Sequence, residues 1–262
     1  MPCSARGLAL GMLLSAAIAT TPGATSARAA CRQALALGLD VSGSVDAREY
    51  RLQLDGLAAA LDHPDVRAAL FASPLSPVRL SIFEWSGPNH QHVILPWTSI
   101  DGDDDLDRVI GRLHRSKRSR GGHSTAIGAA LEFGFALLHQ QSDCPRHTLD
   151  ISGDGKSNSG PPPEQVALVD GPSAPTVNAL VIGVESGIAT PLTGTGIAEL
   201  SSYFRARVIR GPDAFVQTAL GFHDFQSSMK RKLLRELGGF VLGGLQSLPT
   251  RPRVPAADSM FQ

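Results

Sequence analysis

The chain has 262 residues, room for one large domain or two small ones, and its 24 lysines and arginines balance 24 aspartates and glutamates. That balance argues against a dedicated nucleic-acid binder. Charged residues make up 18% and apolar ones 42%, which allows a substantial core.

Residues 1–29 read as a signal peptide outside the fold. Arg6 supplies a positive start, "LALGMLLSAAIA" is an apolar stretch too short to span a bilayer comfortably, and Ala27-Arg28-Ala29 offers small residues around a cleavage position. An uncleaved membrane anchor is the alternative. Attachment of lipid at Cys31 is set aside, because Arg28 sits where such a signal wants an aliphatic residue. Cleavage leaves about 233 residues and, with Arg6 and Arg28 gone, a formal charge of about −2. No other segment approaches transmembrane length, so the expectation is an exported protein, periplasmic or secreted, with no stable membrane span. Two cysteines remain, Cys31 and Cys144. In an oxidising compartment such a pair is more often bridged than free, and without a C-x-x-C or H-x-x-x-H partner it makes a poor zinc site.

Apolar runs and helical patterns then alternate. "ALALGLD" (34–40) predicts a buried strand, and "DAREYRLQLDGLAAALDH" (46–63) a helix with Tyr50, Leu54, Leu57 and Leu61 on one face. After the break at "ASPLSP", "VRLSIFEW" (78–85) and "HQHVILPW" (90–97) predict two strands joined through Ser86-Gly87-Pro88-Asn89. So short a turn implies an antiparallel hairpin at a sheet edge, where Pro96 is tolerable. Helices are expected at "DDDLDRVIGRLHR" (103–115), which opens on acids suited to a helix start, and at "TAIGAALEFGFALLHQQ" (125–141). "RHTLDIS" (146–152) predicts a strand, "PPEQVALVDG" (162–171) a short helix opening on prolines, and "TVNALVIGV" (176–184) another strand. "GIAELSSYFR" (196–205) predicts a helix and "RVIRG" (207–211) a last short strand. Residues 213–240 are expected to close the domain as helix, leaving 242–262 as a loose tail. "MKRKLLREL", within that helix, is amphipathic enough to touch a membrane surface, though packing on the sheet with its charges outward fits better.

Strands alternating with helices indicate an α/β fold: a doubly wound, mostly parallel sheet with one antiparallel edge strand and helices on both faces. Neither an internal repeat nor a linker marks a second domain, so residues 30–241 form one unit. Ligands of such sheets gather at the carboxyl ends of the strands, near the topological switch point.

Three loops at strand ends carry oxygen. "DVSGS" holds Asp40, Ser42 and Ser44, "GGHSTAIGAAL" opens a helix with Thr125 at its start, and "DISGDGKSN" ends a strand at Asp154. Each has a bland reading as turn former or helix cap. Together they offer two carboxylates and three hydroxyls, the all-oxygen set that a hard divalent cation wants, Mg²⁺ needing only one or two carboxylates. An ion so held keeps excess positive charge and favours an anionic oxygen from outside.

These motifs resemble the von Willebrand factor type A domain, the integrin inserted domains included, whose metal-ion-dependent adhesion site has the pattern D-x-S-x-S, then a threonine loop, then an aspartate loop. The order and the separations of roughly 85 and 29 residues match that pattern. "DVSGSVDAREYRLQLDGLAAAL", "FEWSG", "LPWT", "DISGDG" and "RGPDAF" resemble, more closely, a group of exported bacterial type A proteins known only as a domain of unknown function. The resemblance implies a Rossmann-like fold, a Mg²⁺ (or Mn²⁺ or Ca²⁺) held by Asp40, Ser42, Ser44, Thr125 and Asp154, and a protein partner presenting an Asp or Glu carboxylate. It also implies that the strands ending at Asp40 and Asp154 are parallel neighbours, which would bring Cys31 and Cys144 within bridging reach. Family loops often read G-G-T. Here His123 and Ser124 intervene; the glycine and leucine three and six positions after Thr125 favour it as ligand, with Ser124 the fallback and His123 a rim residue. In "HRSKRSR", Arg115, Lys117, Arg118 and Arg120 read either as a solvated helix end or as a basic rim that attracts an acidic partner.

Three other readings compete. A Mg-dependent phosphatase-like hydrolase of doubly wound fold would need D-x-D at the first strand, and Ser42 cannot replace a carboxylate in proton transfer near neutral pH. A serine hydrolase lacks the G-x-S-x-G elbow and an assigned base. A structural scaffold of the same fold without metal is the third. A binding module, and no enzyme, is the expectation.

Overall fold

In the computed structural model of the protein, Met1 and residues 31–119, 121–167, 174–183 and 194–238 are described. The body of the expected signal peptide, Arg120 and the tail lie outside them.

Every residue of strand β1 (Gln33–Asp40) is buried, which follows from its place in the middle of the sheet. The six strands run in the order β3-β2-β1-β4-β5-β6, with β2 at Val78–Trp85, β3 at Gln91–Ile100, β4 at His147–Gly153, β5 at Thr176–Ile182 and β6 at Val216–Ala219. All neighbours are parallel except β2 and β3, the expected antiparallel edge hairpin. Connections after β1 lead to one side and those after β4 to the other, so the switch point lies between β1 and β4, where Leu39 pairs with Ser152.

Alternation along β1 splits the core. Leu35, Leu37 and Leu39 pack with helices α1 (Ala47–Asp62), α2 (Pro64–Leu70), α3 (Asp103–Arg115) and α6 (Phe225–Gly238). Ala34 and Ala36 face α4 (Ile127–His139) and α5 (Gly194–Arg207) with Phe83 and Trp85. Helix α1 starts in a capping box: Asp46 Oδ1 accepts from Arg48 N–H and Glu49 N–H at 2.7 and 2.8 Å, and Glu49 Oε2 accepts from Asp46 N–H at 2.8 Å. Its buried stripe contains Tyr50, Leu54, Leu57 and Leu61, the face read from the sequence.

Four elements differ from expectation. Helix α2 was hidden behind a short connection, though Pro64 at its first position and His63 Nδ1, accepting from Asp65 N–H at 3.2 Å, begin it properly. "PPEQVALVDG" yields only a 3₁₀ turn at Pro163–Gln165, pinned by Arg210, which donates to the carbonyls of Val166 at 2.7 Å and Pro163 at 2.5 Å; its last residues lie outside those described. "RVIRG" is no strand: α5 runs into it, and Arg210 makes only an isolated bridge to Val177. The place beside β5 goes to Val216–Ala219, inside the stretch read as helix, so the closing helix starts only at Phe225. The turn through Gly211 (φ +94°) lets the chain reverse into that strand.

Cys31 and Cys144 are joined in a disulfide, with Cα atoms 4.8 Å apart. It ties the segments leading into β1 and β4 at the end of the sheet opposite to Asp40. No described helix is long and apolar enough to cross a membrane. Helix α6 packs on α1 and the sheet, burying Met229, Leu233 and Leu237.

Candidate metal centre

Asp40 closes β1 and is fully buried. Its Oδ1 accepts from Ser42 N–H at 2.7 Å, and its carbonyl accepts from Gln53 Nε2 of α1 at 2.9 Å. Its Oδ2 is buried and has no hydrogen-bond partner among the described residues. Burial first, and the nearby Asp154 carboxylate second, push the Asp40 pKa up to about 7 from its ordinary 3.8. Asp154, following β4, is raised as well, chiefly by burial.

The hydroxyls connect the two acids. Ser42 Oγ and Ser44 Oγ lie 3.2 Å apart, and Ser44 Oγ donates to Asp154 Oδ1 at 2.7 Å. Four of the five expected ligands therefore meet at the carboxyl ends of β1 and β4.

Thr125, buried, arrives by its backbone. Its N–H donates to Asn158 Oδ1 at 2.9 Å and its carbonyl accepts from Asn158 N–H at 2.8 Å, so the threonine loop and the Asp154 loop are stitched together. No hydrogen bond joins its hydroxyl to the other four. Thr125 is not the cap of α4: the cap position is Ala126, and Ile127 N–H donates to Ser157 Oγ at 3.2 Å. Ser157 and Asn158 are thus site-building residues that the sequence motif did not single out, although both stand in "GDGKSN". Ser124 is turned toward the β2–β3 hairpin, its Oγ 2.8 Å from where a Cβ on Gly87 would lie.

Two glycines permit the loops to close up. A Cβ on Gly43 would sit 2.9 Å from the His123 carbonyl, which accepts from Gly43 N–H at 3.1 Å. One on Gly128 would come within 2.0 Å of the Pro161 carbonyl. His123 itself is exposed at the rim.

The basic run divides. Arg118 is no free rim cation: its Nη2 donates to the carbonyls of Val41 at 2.8 Å and Ser42 at 3.0 Å, holding the backbone of the first loop. The neighbouring Ser119 donates to the buried Glu84 carboxylate from both N–H and Oγ, and Tyr50 O–H donates to its other oxygen at 2.6 Å. Arg115 and Lys117 have no such partner among the described residues and stand between β3 and α3.

Among the described residues no three His, Cys, Asp or Glu side chains converge as a metal-ligand group. Two carboxylates with neighbouring hydroxyls, one carboxylate oxygen buried without a donor, suit a hard cation rather than a nitrogen–sulfur zinc site.

Residues 30–241 match the family model described as protein of unknown function (DUF1194), and no curated protein matches the chain. Among solved structures it is similar to proximal thread matrix protein 1 of the mussel byssus, solved with zinc occupying its MIDAS motif (TM-score 0.51, 16% identity, 79% of this chain and 48% of that one). The open conformation of the pilus adhesin SpaC from Lactobacillus rhamnosus GG is also similar (0.52, 13%, 80% and 30%). So is a von Willebrand factor type A protein from Catenulispora acidiphila (0.51, 12%, 79% and 43%). The chain spans less than half the length of each, and at such identities the likeness is one of fold.

Proposed function

The chain belongs to the DUF1194 family of proteins of unknown function and has the von Willebrand factor type A fold, and from that premise we propose that it is an exported binding module that holds a protein partner through a divalent cation. The observation that carries this reading is the buried, donorless Oδ2 of Asp40 at the switch point, beside the chain of Ser42 and Ser44 hydroxyls that ends on Asp154. Asp40, Ser42, Ser44, Thr125 and Asp154 are the proposed ligands, direct or through water, and Mg²⁺ the proposed ion, with Mn²⁺ or Ca²⁺ as substitutes. The zinc in the mussel protein's motif supports a divalent ion at this pole without choosing among them.

A bound ion supplies positive charge and an open position for an anionic oxygen. Asp40 and Asp154 would provide its charge balance; Ser42 N–H and Ser44 Oγ orient the two acids, and Arg118 holds the loop that carries the serines. The remaining excess charge favours a partner carboxylate over a neutral donor. Ser42, where a hydrolase of this architecture would need a second acid, supports binding rather than catalysis. Export is supported by the leader-like residues 1–29 and by the Cys31–Cys144 disulfide, which suits an oxidising compartment.

Calorimetry on chelator-stripped protein tests the reading. Mg²⁺ should bind the wild type, bind Asp40→Ala undetectably, and bind Ser44→Ala only several-fold more weakly, because a charged ligand contributes more than a neutral one. Unchanged binding by Asp40→Ala would overturn the assignment.

A further inference from the structure

Beside the metal face, strand β3 and helix α3 enclose a groove of about 600 Å³. Arg108, Arg112, Arg115 and Lys117 line it together with His92, and no carboxylate does. In a chain whose formal charge is zero, that concentration is local. Asp103 and Asp107 of α3 pair with Arg67, away from the groove, whereas Asp105 pairs with Arg108 and offsets that one charge of the lining. Arg115 and Lys117 have no ion-pair or hydrogen-bond partner among the described residues.

The groove's floor is apolar, through Ile94 and Val109, and its wall is a blunted sheet edge. Pro96 offers no N–H there, and Arg112 Nε occupies the Ile94 carbonyl. A guest is therefore recognised by its side chains rather than by joining the sheet. His92 to Thr98 spans about 20 Å at about 3.3 Å per residue, the reach of roughly six extended residues. The register gives the groove its direction. Gln91 pairs with Trp85, and Trp85 with Asp40, so the His92 end opens at the metal face.

From this geometry we infer that the groove takes an extended, Asp/Glu-rich segment of a protein partner. On the reading above, the same partner's leading carboxylate would reach the ion, and the acidic run behind it would lie along β3. A groove with an apolar floor suits a peptide, whose side chains are in part apolar, better than a sulfated polysaccharide or nucleic acid, which would want a wholly basic face.

Anisotropy of a fluorescein-labelled, glutamate-rich nonapeptide in EDTA at low ionic strength tests the groove without the ion. The wild type should bind it, and the affinity should fall as salt rises. Arg115→Glu/Lys117→Glu should bind about tenfold more weakly or worse, while Arg205→Glu/Arg207→Glu on the opposite flank should bind normally. No binding by the wild type in EDTA, equal loss in both double variants, or tighter capture of heparin at the same residues would overturn the inference. The metal assignment stands or falls separately on its own calorimetry.

Discussion

Asp40 keeps its proton at a pH where an ordinary aspartate has lost it, because burial and the charge of Asp154 both oppose ionisation. A metal entering below pH 7 must displace that proton. The affinity for Mg²⁺ should therefore drop by up to about tenfold per unit as pH falls from about 7 to 5, with proton release visible as a buffer-dependent heat. In the metal-free protein the sign for stability is the reverse. The native state binds more protons than the unfolded chain between about 4 and 7, so this carboxyl makes folding less favourable as pH rises through that window. Arg118 allows a second expectation. Arg118→Ala should weaken Mg²⁺ binding several-fold with little change in melting temperature, whereas loss of a rim cation would alter only partner association. The ligand pattern was legible because motif spacing survives in one dimension. The role of Arg118 was not: within "HRSKRSR" every cation looks alike, and only the folded path shows which one lies over the Val41 and Ser42 carbonyls.

At the scale of elements, α6 is fastened to the sheet by buried charge as well as by apolar contact. Lys232, fully buried, places Nζ 2.7 Å from Asp150 Oδ2 of β4 and 2.5 Å from Glu236 Oε1, and Asn178 of β5 donates to the same Glu236 oxygen at 2.7 Å. Lys232→Met would leave two acids without their cation in the interior and should cost about 3–5 kcal/mol in urea unfolding. An amphipathic reading of "MKRKLLREL" put its charges outward, and Lys232 and Glu236 are the exceptions: a face pattern assigns a buried ion pair to the surface unless its partners on distant strands are known. The same limit explains β6. Val216–Ala219 is four residues of mixed polarity, and only the vacant edge of β5 selects strand over helix for it. Long periodic segments such as α1 and the apolar run of β1 needed no such context.

For the whole molecule, the mostly parallel sheet, its antiparallel edge and the helices on both faces followed from the alternation of elements, since right-handed crossovers leave few alternatives, whereas the neighbourhood of β1 and β4 was implied only by the family resemblance. The disulfide closes a separation of 113 residues. Cys31→Ser/Cys144→Ser should lower unfolding free energy by up to about 4.7 kcal/mol in the chain-entropy model, while leaving Mg²⁺ affinity unchanged, because it lies at the far pole of the sheet. That opposition has a mechanical side. β1 and β4 are cross-linked at their entering ends and carry Asp40 and Asp154 at their leaving ends. A tensile load between a metal-held partner and the chain at Cys31 would be shared by two central strands. Their hydrogen bonds lie across the direction of pull, so they would yield together in shear instead of unzipping in turn.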